Sequence, residues 1–180
     1  MKIFSREIDG WTFTTEIADD VYSKMSNSDD HLLDNDDLET ICVGSYARTL
    51  SQWLLEDTLW RQFLTTWAEK TGLPHTVAVL DAHGSYDGRG DWAYYENGKV
   101  AGQLKHWVEK RDGQFLLLFL ACCNSDAHLI VTNRSLLLMG NRTVYGNAEW
   151  EGMGSYDLVT PRGIQNPMTL EYDLKELTSS

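Results

Sequence analysis

Residues 115–125, FLLLFLACCNS, decide how this chain reads. The first seven are apolar without interruption, a length that suits a strand and is far too short to span a bilayer. Continuous apolarity, rather than alternation, marks a central strand covered on both faces. A second run of this kind, TVAVLDA at residues 76–82, comes earlier and leads into His83-Gly84. Between the two lie a polar, glycine-rich loop (residues 84–91, GSYDGRGD) and then Val100, Leu104, Trp107 and Val108. Their spacing of i, i+4, i+7 and i+8 predicts an amphipathic helix that Gly113 ends.

Upstream, residues 40–44 (TICVG) form a short β-branched run, read as a buried strand, that enters a helical pattern over residues 47–70. Trp53, Trp60 and Trp67 recur every seven residues there, with Leu50, Phe63 and Leu64 beside them, as a core-facing stripe does. Gly72 and Pro74 stop that helix. The order strand, helix, strand, helix, strand predicts an α/β fold with a mostly parallel sheet flanked by helices. After residue 125 the pattern changes. Residues 129–132, 135–138 and 143–145 are short runs punctuated by Asn-Arg and Gly-Asn, which predicts short strands or hairpins in the C-terminal third.

With 180 residues, 42% of them apolar, the expectation is one domain over residues 1–180. Residues 26–37 (SNSDDHLLDNDD) read as an acidic, solvated loop; the glycine and closing glutamate of a calcium loop are missing. A net charge of −12 repels phosphate backbones and anionic lipid, which argues against nucleic acid and membrane as partners. The cysteines are Cys42, Cys122 and Cys123, an odd count with two adjacent, and they suit free thiols in a reducing compartment. The first twenty residues carry no basic segment followed by an apolar one, so the expected location is the cytoplasm.

In parallel sheets, functional residues gather where strands end at their carboxyl edge. If the two apolar strands are neighbours, the imidazole of His83 and a thiol of Cys122 or Cys123 meet across that edge. A cysteine nucleophile needs an imidazole to take its proton and return it to a leaving amine. Gly84 lets backbone N–H groups approach a developing oxyanion.

An apolar block ending in His-Gly, an amphipathic helix, and an apolar block ending in small residue, Cys, polar residue and Ser together resemble the caspase-like cysteine peptidases. That group includes caspases, metacaspases and legumain-type enzymes. Residues 96–125, closing in LACCNS, are most similar to its bacterial CHAT branch. The resemblance covers residues 76–125 well and residues 40–73 loosely. It implies a small caspase-like core and a His–Cys dyad cutting a protein or peptide substrate. Cys123 would be the nucleophile, His83 the general base, and the N–H groups of Gly84 and Cys123 the oxyanion donors; there is room for an activating protein partner.

Cys122 is the alternative nucleophile. Side chains alternate along a strand, so only one of the two sulfurs can enter the cleft, and the Asn124-Ser125 that follows selects Cys123. No cofactor and no metal are expected, because adjacent cysteines chelate one ion poorly and no second Cys-x-x-Cys is present. Ala121 stands where some members carry an acidic residue, so a preference for basic residues before the cut is not implied. The same domain without turnover, acting as a binding or regulatory module, is the competing expectation.

Overall fold

The structure is a computed structural model that describes residues 1–26, 58–89, 91–122, 132–140, 156–160 and 163–165. The acidic loop beyond Ser26, the strand expected at residues 40–44, the first part of the long helix, Cys42, Cys123 and the runs at residues 129–131 and 143–145 lie outside the described residues.

The chain opens with a hairpin of β1 (Lys2–Ile8) and β2 (Trp11–Ile17), registered from Lys2↔Ile17 to Ile8↔Trp11. Asp9 and Gly10, at φ 51° and 84°, form the tight turn, the left-handed pair that a two-residue hairpin loop requires. Along β2 buried and half-buried residues alternate strictly, as on a strand with one face fully covered. Helix α1 (Asp19–Ser26) follows, and α2 (Thr58–Thr71) closes at Gly72, whose φ of 70° lets its N–H reach the Ala68 carbonyl at 2.8 Å. Next come β3 (Thr76–Asp81), β4 (His83–Tyr86), β5 (Trp92–Glu96), β6 (Lys99–Gln103) and α3 (Leu104–Arg111). The described elements end with β7 (Leu117–Ala121), β8 (Leu136–Gly140), β9 (Tyr156–Thr160) and β10 (Gly163–Gln165).

Seven strands form one sheet in the order β1-β2-β3-β7-β8-β9-β10. Its centre, β2-β3-β7-β8, is parallel, whereas β1, β9 and β10 join antiparallel. The α/β class therefore holds: the centre of the large sheet is parallel, its outer strands make it mixed, and a second sheet is antiparallel. Short strands do occupy the C-terminal third: β8 is a fourth parallel strand beside β7, and β9 pairs antiparallel with both β8 and β10. Leu136, Leu137 and Leu138 are all fully buried, and a run covered on both faces belongs inside a sheet.

Residues 84–103 correct the sequence reading as well. They build a separate antiparallel sheet, β4-β5-β6, in place of a loop and an early helix start. Asn97 and Gly98, at φ 54° and 74°, make a second two-residue turn, so Val100 lies on β6, 39% exposed, and the helix begins only at Leu104. Across β5 and β6, Tyr94 faces Gly102. A Cβ there would sit 2.6 Å from Tyr94 Oη, so glycine makes room for the phenol.

Helix α3 lays Leu104, Trp107 and Val108 into a cluster with Ala78, Leu80, Leu118, Leu120, Cys122 and Leu137. The alternate residues of the same strands, Val77, Val79, Leu117, Phe119 and Leu138, are fully buried too, so both faces are covered. Burying each such side chain contributes about 2 kcal/mol. A polar clamp also ties α3 to β2: Arg111 Nη2 lies 2.8 and 2.7 Å from the two Glu16 oxygens, and Trp107 Nε1 donates to Glu16 Oε2 at 3.1 Å. The guanidinium stacks 4.3 Å from the Trp107 ring. No helix among the described residues is long and apolar enough to cross a membrane.

Candidate active site

Strands β3 and β7 are parallel neighbours, registered from Val77↔Leu117 to Asp81↔Ala121. Both therefore leave the sheet at the same edge and level. In sequence, His83 stands two residues past Asp81, and Cys123 two residues past Ala121.

On the histidine side the chain bends at Ala82 and enters β4 with His83, which pairs with Tyr95. The His83 side chain is 60% exposed, and its Nε2 lies 3.6 Å from Asp20 Oδ2. Gly84 is buried and pairs with Tyr94. Burial pushes the Tyr94 phenol pKa up, and the nearby Glu16 carboxylate adds to the rise, so this group stays protonated at neutral pH.

On the cysteine side, Cys122 is 1% exposed, and its thiol points to the Leu80 carbonyl at 3.6 Å. Ala18, Ala82 and Leu104 belong to the same cluster. It is a small hydrophobe in the α3 core, a setting that keeps a thiol inert. Cys123, Asn124 and Ser125 are outside the described residues.

A third element reaches this edge, from the end of β2. The Ala18 N–H donates to the Asp81 carbonyl at 2.9 Å, and the Asp19 N–H to Glu96 Oε2 at 3.0 Å. Val21 packs against the α3 cluster. These contacts hold residues 18–21 between the ends of β3 and β5, and Asp20 faces His83. Asp20 Oδ1 is buried without a hydrogen-bond partner.

Asp20 cannot be associated with His83 from sequence unless residues 11–17 are recognised as a strand. The signal was Asp9-Gly10 between alternating runs, the usual mark of a tight hairpin. Among the described residues, no group of three or more His, Cys, Asp or Glu side chains is arranged to hold a metal ion. No family model matches the chain, and no curated protein or solved structure matches it either.

Proposed function

We propose that this chain is a caspase-like cysteine peptidase that cuts a protein substrate, with Cys123 as nucleophile and His83 as general acid and base. One observation carries the reading: Asp81 and Ala121 are paired in parallel, and the imidazole and the second thiol each follow that pair by two residues. The enclosure of Cys122 in the core supports the choice of Cys123. An odd set of thiols suits a reducing, cytoplasmic setting.

In the reaction, the His83 imidazole takes the Cys123 thiol proton and the thiolate attacks the scissile carbonyl carbon. In this reading the N–H groups of Gly84 and Cys123 serve as the oxyanion donors. Collapse breaks the carbon–nitrogen bond as His83 passes its proton to the leaving amine. A water molecule, deprotonated by the same imidazole, then releases the acyl group from sulfur.

The reading is tested by treating the native protein with iodoacetamide and mapping the adducts by mass spectrometry. Preferential, His83-dependent alkylation of Cys123 is expected, together with cleavage of a peptide library that Cys123→Ala abolishes. Slow, equal alkylation of Cys42, Cys122 and Cys123 would sink it and leave the non-catalytic binding module as the better account.

A further inference from the structure

We infer that β1 is the interface of a symmetric dimer: its outer edge pairs antiparallel with β1 of a second copy, about a two-fold axis at Ser5. This surface is separate from the candidate site, and nothing in it depends on the peptidase reading. Strand β1 closes one end of the seven-stranded sheet, and its pairing with β2 runs unbroken along its whole length. In a two-residue hairpin the pair beside the turn, Ile8↔Trp11, exchanges both backbone bonds, and the exchange recurs at Arg6↔Phe13, Phe4↔Thr15 and Lys2↔Ile17. The N–H and C=O groups of Ile3, Ser5 and Glu7 therefore point away from β2. The alternation on β2 agrees, because the Thr12 N–H turns to its far side and donates to the His75 carbonyl at 3.1 Å. Among the described residues no backbone group bonds Ile3, Ser5 or Glu7 from outside, and all three are exposed. Ile3, at 64%, is the most exposed large apolar residue of those described.

Hydrogen bonding and charge decide what fits this edge. With Ser5 opposite Ser5 of a second copy, Ile3 exchanges backbone bonds with Glu7 of that copy, and Glu7 with its Ile3. Every outward donor and acceptor of both strands is then satisfied, the self-complementarity that an isologous two-fold interface requires. In this register Arg6 lies opposite Phe4 of the second copy, where a guanidinium can cover an aromatic face, and Ile3 lies against the aliphatic stem of Glu7. The neighbouring symmetric registers are worse. An axis at Phe4 sets Lys2 opposite Arg6, and an axis at Arg6 sets two guanidinium groups opposite each other. Net charge also favours this edge over the rest of the surface. The chain carries −12, but β1 holds Lys2 and Arg6 against Glu7 alone, so two acidic molecules repel each other least here. The two-fold axis reverses strand direction, so the carboxyl edges of the two copies open on opposite sides of one continuous sheet.

The test is the mass of the full chain by sedimentation equilibrium across a dilution series, with Ser5→Pro beside the parent. Proline removes the N–H at the axis yet is tolerated where the N–H of an edge strand points outward, so the pairing of β1 with β2 survives. The parent is expected to run at twice 20.5 kDa and to dissociate on dilution. Ser5→Pro should raise the dissociation constant at least about a hundredfold and leave the circular-dichroism spectrum unchanged. Amide exchange gives the register: the Ser5 and Glu7 N–H groups should be protected only in the dimer, and those of Phe4 and Arg6 in both states. A parent of single mass at every concentration overturns the inference and leaves the edge to a strand of another protein. A dimer that Ser5→Pro does not weaken, or one whose Ser5 N–H exchanges freely, overturns it too, because the contact then lies elsewhere. Should Ser5→Pro not fold, Ser5→Lys sets two ammonium groups opposite each other across the axis and is held to the same outcomes.

Discussion

The two edges of the parallel strands β2, β3, β7 and β8 are built differently. At the amino edge most polar groups are paired, with Thr132 Oγ1, four residues before β8, buried without a partner. Asp112 accepts from the N–H groups of Asn133, Arg134 and Ser135 at 2.6, 3.0 and 2.9 Å. Ser135 Oγ donates to the Phe115 carbonyl at 2.6 Å and accepts from the Gly113 N–H at 2.8 Å, while Trp67 Nε1 donates to the Arg134 carbonyl at 2.8 Å. Trp11 stacks on His75, with 4.7 Å between ring centres. At the carboxyl edge, Asp20 Oδ1 is left unpaired and His83 lies open. Paired groups hold a fold together, whereas exposed and unsatisfied ones remain available for chemistry. Stability should therefore depend on the amino edge and reactivity on the carboxyl edge.

The sharpest way to break that contrast is His83→Ala. Cys123 alkylation and peptide cleavage should fall at least about a hundredfold, while the unfolding free energy changes by no more than about 0.5 kcal/mol, because the side chain is exposed. A large loss in a denaturant melt would mean that the carboxyl edge is structural after all. The mirror experiment is Asp112→Ala, which strips the acceptor from three N–H groups at the other edge. About 2 kcal/mol of stability should go, read from the denaturation midpoint, with Cys123 alkylation unchanged below the transition.

Gly102→Ala probes the antiparallel sheet that carries His83. The added methyl meets Tyr94, whose ring cannot retreat without leaving the α3 cluster. The expected cost is about 1–2 kcal/mol in the same melt. Because β5 pairs with the strand that begins at His83, alkylation should slow as well; unchanged alkylation would show that the site tolerates movement in β5.

The smallest effect concerns the turn after β4. Asp87 Oδ1 accepts from the N–H groups of Arg89 and Asp91 at 2.8 and 3.3 Å. The Arg89 N–H above all, then that of Asp91 and the Arg89 charge, hold the Asp87 carboxyl below its ordinary value of 3.8, against an opposing contribution from burial. Since the folded-state value is the depressed one, this stabilisation is complete above about pH 4 and is lost as pH falls through the folded value. Amide hydrogen exchange at Arg89 and Asp91 should quicken, relative to the ordinary pH trend, only below that point. A loss of protection beginning near neutral pH would assign the turn to another group.

Much of the central architecture was legible in the sequence. The runs at residues 76–82 and 115–121 became β3 and β7, and Gly72 and Gly113 end their helical segments where expected. Asp9-Gly10 and Asn97-Gly98 announce two hairpins, and at the second Val100 also fits the periodicity of the helix that follows. The exposure of Val100, not its spacing, separates the two readings. Likewise, the parallel pairing of β8 with β7 is not legible in residues 135–138, because a short apolar run says nothing about the direction of its partner.

By itself, then, the sequence determined which segments must be buried on both faces, where helices stop, and that His83, Cys122 and Cys123 follow two such segments. These are local properties, set by side-chain periodicity and backbone preference. Only the tertiary structure decided that β3 and β7 are adjacent with Asp81 opposite Ala121, that the thiol of Cys122 is enclosed, and that Asp20 faces His83. Those depend on which distant strands share an edge, a choice made by burying apolar faces together, and no local pattern records it.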